Sequence, residues 1–138
     1  LVKLELDTEE KLEAAPPGSR FEGSVTFKNL DPVELGLLLY GMGLRKSSLG
    51  NPVLLGKLKY RRDVKYVFGV VRYMLEDLAL SPFSQPLQVG DIQLKPKSSL
   101  TGEQLNAVVA ELVELAQKEF DGELQDVDEV GAIGEVWS

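Results

Sequence analysis

The chain contains neither histidine nor cysteine. Imidazole is the usual general base near neutral pH and the commonest metal ligand. Without these two residue types, Ser-His-Asp and Cys-His machinery, disulfides and thiolate metal sites are excluded, and a zinc centre is a poor fit. Any catalysis would fall to carboxylates with a hard cation, to lysine or to tyrosine. Long apolar runs are also missing. The longest, Val33–Met42, is interrupted by Glu34 and has about half the length of a bilayer span. No stretch joins a basic start, an apolar run and a small-residue cleavage site. The expectation is therefore a cytoplasmic protein with no membrane partner, no metal and no cofactor.

What remains is an ordinary globular composition, 43% hydrophobic and 27% charged, over a length of 138 residues that suits one domain. We expect a domain over 1–120 followed by an acidic tail over 121–138. The net charge of −7 hides a strong asymmetry. Between positions 45 and 72 lie eight basic residues (Arg45, Lys46, Lys57, Lys59, Arg61, Arg62, Lys65, Arg72) and one acid, Asp63. The rest of the chain holds seven basic and twenty-one acidic residues, so +7 faces −14. Two surfaces with different tasks are the natural reading.

The hydrophobic pattern predicts the elements. Residues 2–7 alternate as a short half-buried strand does, and Pro16, Pro17 and Gly18 read as a turn. From Arg20 to Lys28 the alternation is clean, with Phe21, Gly23, Val25 and Phe27 on one side, which predicts a strand with one face on the core. Asp31-Pro32-Val33-Glu34 is a helix start with an Asp cap, proline at the first position and glutamate placed for a capping box. The helix over 33–42 is apolar nearly all round, so burial on several sides is expected, with Gly36 allowing close approach and Gly41 and Gly43 ending it. Val64–Leu75 reads as a central strand and Leu87–Leu94 as a further one. Thr101 with Gln104 would cap a second helix reaching Phe120, its stripe formed by Leu105, Val108, Val109, Leu112 and Ala116. The order predicts an α+β fold with helices on one face of a small antiparallel sheet.

The basic segment with Tyr60, Tyr66, Phe68 and Tyr73 interleaved has the ingredients of a single-stranded RNA surface: cations for phosphates, glycines for close backbone approach, aromatics for stacking. A solvated loop whose aromatics belong to the core explains the same residues. Asp63 with Asp91, or Asp126 with Asp128 and Glu129, would be carboxylate candidates for a metal, but solvated surface acids account for them better. Gly50 to Leu58 misses the phosphate-binding G-x-x-x-x-G-K-[ST] pattern by one extra residue and by Leu58 in place of Ser or Thr.

The stretch from Gly18 to Leu44, GSRFEGSVTFKNLDPVELGLLLYGMGL, resembles the C-terminal part of RAMP-superfamily CRISPR-associated proteins. Members typically show a G-x-x-F strand, an E-L-G-x-L-L helix, then L-G, a glycine-rich loop and a final strand after F-G. Here those later parts match Leu49-Gly50, Gly56-Lys57 and Phe68-Gly69-Val70-Val71-Arg72, and the match spans about residues 18–75. The resemblance implies a ferredoxin-like (RRM-like) core, of which the matched elements are the second half. The chain would then be a piece of a longer subunit, or another chain would complete its sheet. It further implies a non-catalytic subunit that binds CRISPR RNA and other effector subunits, since RNA-processing relatives usually rely on a histidine. Carried over, the RNA-binding residues would be Gly50, Gly56, Lys57, Lys59, Arg61, Arg62 and Lys65. An open sheet edge would also allow a homo-oligomer. A module that scaffolds a complex without touching nucleic acid is the competing reading.

Overall fold

The computed structural model of the chain describes residues 2–5, 11–55 and 69–124. The element order is β1 (Val2–Glu5), β2 (Lys11–Ala14), α1 (Pro32–Gly41), β3 (Val53–Leu54), β4 (Val70–Val71), β5 (Leu78–Ala79), β6 (Leu87–Val89), β7 (Ile92–Leu94), β8 (Ser99–Leu100) and α2 (Gly102–Glu119). This is an α+β arrangement. Among the described residues its strands form four separate antiparallel pairs, β1-β2, β3-β4, β5-β8 and β6-β7, rather than the one small sheet that the pattern predicts.

α1 begins and ends as its sequence dictates. The Asp31 carboxylate accepts from the Glu34 amide at 2.8 Å, and the Asp31 amide donates back to the Glu34 carboxylate at 3.2 Å. This reciprocal box satisfies two donors that a helix start leaves orphaned. At the other end Gly43 donates to the Tyr40 carbonyl and Leu44 to the Leu39 carbonyl, both at 3.0 Å. Those two bonds form a Schellman cap, which needs the left-handed conformation that Gly43 adopts at φ +87°. The apolar contact expected of such a cap is supplied by Leu39 and Leu44, both in the core. Gly41 is instead the last helical residue.

The core lies where α1 meets α2. α2 buries Leu105, Val108, Val109, Leu112, Val113 and Ala116, a stripe at helical spacing, and Leu35 and Leu39 face it from α1. The closest approach is at Gly36. A Cβ there would overlap the Leu112 carbonyl, lie 2.7 Å from its carbon and 3.2 Å from the Ala116 Cβ. Glycine and alanine together therefore set the distance between the helices. Leu38, Tyr40 and Met42 also pack half-buried against the core, and Glu34, Leu37 and Gly41 are the exposed residues of the helix, so α1 is covered over most of its circumference as expected.

Small β units lean on this pair. The two-residue Gly90-Asp91 connection folds Leu87–Leu94 into the β6-β7 hairpin, a correction to the single strand that the sequence suggests. Val89 and Leu94 enter the core, and β6 touches both helices. β2 had no sequence signal, yet it pairs with β1 in the register Val2↔Ala14 to Glu5↔Lys11. Arg20–Lys28, expected as a strand, is irregular and exposed except for the half-buried Phe27. The ladder it would need is missing: its backbone makes no hydrogen bond among the described residues. The expected central strand Val64–Leu75 reduces, over its described part, to Val70–Val71, a half-exposed edge rather than a buried centre. Thr101 does occupy the cap of α2, but its side chain makes no capping bond there, and Gln104 is exposed.

The Gly36 contact makes a test with its own control. Alanine in a helix interior is intrinsically favoured over glycine by about 1 kcal/mol. At Gly41 an added Cβ meets nothing, so Gly41→Ala should be neutral or raise stability by up to about 1 kcal/mol. At Gly36 the same methyl strikes backbone that cannot step aside, and overpacking of this kind costs about 1–3 kcal/mol. Gly36→Ala should therefore lower the midpoint of chemical unfolding while Gly41→Ala does not, as read by far-ultraviolet circular dichroism.

Candidate nucleic-acid interface

The described ends of the basic segment 45–72 form two antiparallel arms. After the Schellman cap, residues 48–55 turn back against 69–75 in antiparallel sense. Leu75 donates to Ser48 and Gly50 to Tyr73, both at 2.8 Å, and Leu49 bridges Met74. Beyond that point β3 pairs with β4 in the register Val53↔Val71 and Leu54↔Val70. The partner numbers sum to 123 in the first part and 124 in the second, so one extra residue lies between them. It forms a bulge at Asn51-Pro52, where proline has no N–H to give the ladder. The Asn51 amide leaves the hairpin and donates to the Gly43 carbonyl at 2.9 Å, fastening it to the end of α1.

The hairpin is also fastened to α2. The Ser48 amide donates to Asn106 Oδ1 at 2.8 Å, a contact across 58 positions of sequence. Arg45 anchors the near end. Its guanidinium lies 3.6 Å from the centre of the Tyr40 ring and donates to the Tyr40 and Leu44 carbonyls, each at 2.8 Å. A cation over an aromatic face that also serves helix-end carbonyls is held by two attractions at once. Arg45 thus serves the helix end, a role the basic count alone could not separate from ligand binding.

Among the predicted site residues, Gly50 lies within the described part. It is buried, with its amide committed to Tyr73, and a Cβ there would stand 3.2 Å from Leu44 Cδ2. Its position secures the hairpin's geometry, which the glycine-loop reading did not foresee. Gly56, Lys57, Lys59, Arg61, Arg62 and Lys65 lie outside the described residues. The two ends of their segment are nevertheless fixed: Leu55 donates to the Gly69 carbonyl at 2.8 Å. Gly69 has φ +76°, and a Cβ there would run into the Leu55 carbonyl, so this closing position favours glycine on both counts. Lys46 and Arg72 on the described arms are exposed and make no ion pair among the described residues.

The described hairpin has an apolar exposed side as well. Leu49 is 51% exposed, Met74 53% and Val70 44%, with Arg72 between the last two. Val71, Tyr73 and Leu75 alternate with them and are half-buried. Among the carboxylates considered for a metal, Asp91 sits exposed in the β6-β7 turn, and Asp63, Asp126, Asp128 and Glu129 lie outside the described residues. The described residues bring together no group of three or more carboxylates that could hold an ion. No helix among them is long and apolar enough to cross a membrane.

Asn106 tests how the hairpin is held. Asn106→Ala removes the acceptor for the Ser48 amide and should cost about 1 kcal/mol of stability. Its local signature is faster hydrogen exchange at Ser48 and Gly50, with the amides of α1 unchanged. Equal acceleration throughout the molecule would show that Asn106 supports the whole core instead. Comparison with protein-family models, with curated proteins and with solved structures finds no match to this chain.

Proposed function

We propose that this chain is a non-catalytic, RNA-binding part of a multisubunit RNA-guided defence complex, contacting CRISPR RNA through residues 56–68 and neighbouring subunits through its remaining surface. One observation carries the reading. The bond between Leu55 and Gly69 holds together the flanks of a segment of thirteen residues whose sequence has five cations (Lys57, Lys59, Arg61, Arg62, Lys65), one acid and three aromatics. Cations concentrated in so short a segment can follow a phosphate chain, and Tyr60, Tyr66 and Phe68 would supply faces on which bases stack. Exposed Lys46 and Arg72 extend the same charge along the arms. The resemblance of residues 18–75 to RAMP-superfamily proteins supports the choice of CRISPR RNA, a ferredoxin-like parent unit and a cytoplasmic setting. Gly50 and Gly56 would act by shaping the loop and the cations by charge.

A second reading has its own support. The exposed Leu49, Val70 and Met74 would suit a protein partner, and in a scaffold module they would be the working surface. The two readings part on nucleic acid. Anisotropy of a labelled single-stranded RNA titrated with the protein should show affinity that falls with salt. Four phosphate contacts give a log–log slope of roughly −3. Replacing Lys57, Lys59, Arg61 and Arg62 with alanine should flatten that slope and weaken all RNA sequences alike, because phosphate contacts carry no base code. Absence of RNA affinity even at low salt, with a neighbouring subunit still bound, would overturn the RNA reading in favour of the scaffold.

A further inference from the structure

Arg20–Lys28 has the chemistry of a strand and the surroundings of none. Its apolar residues alternate without a break, yet Phe21 is 83% exposed and Val25 59% exposed. Only Phe27 leans on the core. The backbone from 20 to 28 makes no hydrogen bond among the described residues, and Asn29 ends the segment in the left-handed region at φ +57°. A nine-residue segment whose backbone N–H and C=O groups are unpaired among the described residues can add to another strand.

We propose that this segment pairs antiparallel with its own copy in a second molecule, about a two-fold axis at Val25. Antiparallel neighbours that stand opposite share a face, so the apolar face stays whole only if apolar positions oppose apolar positions. That leaves registers centred on a residue. Centred on Ser24, Arg20 would meet Lys28, a like-charge pair. Centred on Thr26, Glu22 would meet Leu30 and Lys28 would meet Ser24, leaving both charges without a partner. Centred on Val25, Glu22 meets Lys28 twice by symmetry, Ser24 meets Thr26 and Phe27 lies opposite Gly23, while Phe21 and Arg20 at the ends stand opposite Asn29 and Leu30. Opposite charges and an aromatic beside glycine are favourable cross-strand combinations. Of these registers only this one sets opposite charges against each other, and this charge complementarity selects a second copy of this chain as the occupant. An isologous interface of this kind closes as a dimer.

The test uses the full chain. Sedimentation across a concentration series should show a mass twice the 15.2 kDa of one molecule. Glu22→Lys or Lys28→Glu turns two attractive pairs into repulsive ones and should weaken the dimer by about tenfold. The double exchange restores the pairs and should return the dimer to nearly its original strength. Both positions are exposed, so folding is not at stake, and an unchanged circular dichroism spectrum checks this. As the chain has no cysteine, Val25→Cys under mild oxidation should give a covalent dimer, with Ser19→Cys remaining monomeric. A wild-type protein that stays monomeric at all concentrations overturns the proposal. So does a dimer indifferent to the single exchanges, or a double exchange that fails to rescue.

Discussion

The backbone of α1 rests directly on the backbone of α2, and the other described packing depends on this approach. Where Gly36 meets Leu112 and Ala116 there is no room for a side chain. The small residues let Leu35 and Leu39 reach into the stripe on α2, so one apolar cluster serves both helices. With larger residues at this point the helices would separate, and the β6-β7 hairpin would lose the floor that receives Val89 and Leu94. A van der Waals limit at one position therefore sets the thickness of the core.

Polar bonds carry that order outward to the basic hairpin. The Schellman cap turns the chain at Gly43, whose carbonyl then receives Asn51, while Asn106 on α2 receives Ser48. Each bond is worth only about 1 kcal/mol net, but together they fix both the direction and the base of the hairpin. Between the ends joined by the Leu55–Gly69 bond, the sequence concentrates five cations. The acids on the outward side of α2, Glu103, Glu114 and Glu119, belong to the opposite charge population. They include a solvated pair, Lys118 with Glu114 at 3.3 Å, of the kind that contributes only a few tenths of a kcal/mol.

The segment 20–28 shows how pattern differs from structure. Alternation states which residues could share a sheet face. It does not supply the neighbouring strand whose N–H and C=O groups complete the ladder. In this chain the same is true of the residues around Val70, where the apolar run is real but one side of it faces outward. Exposed apolar residues at both places are what an association surface would use.

The sequence alone determined what depends on neighbours a few residues away. The bounds of α1 follow from Asp31, Pro32 and Glu34 at one end and Gly43 at the other, because caps are made within a single turn. The buried stripe of α2 follows from spacing, and the charge asymmetry follows from counting. Tertiary structure decided the rest, because it rests on contacts between distant residues. Nothing local tells that Ser48 will meet Asn106, that Arg45 will lie over Tyr40 as a helix-end anchor, or that Gly50 will bond Tyr73. Nor does local pattern divide Leu87–Leu94 into two strands or deny Arg20–Lys28 a partner. A strand exists only when a second one lies beside it, whereas a helix closes its hydrogen bonds on itself.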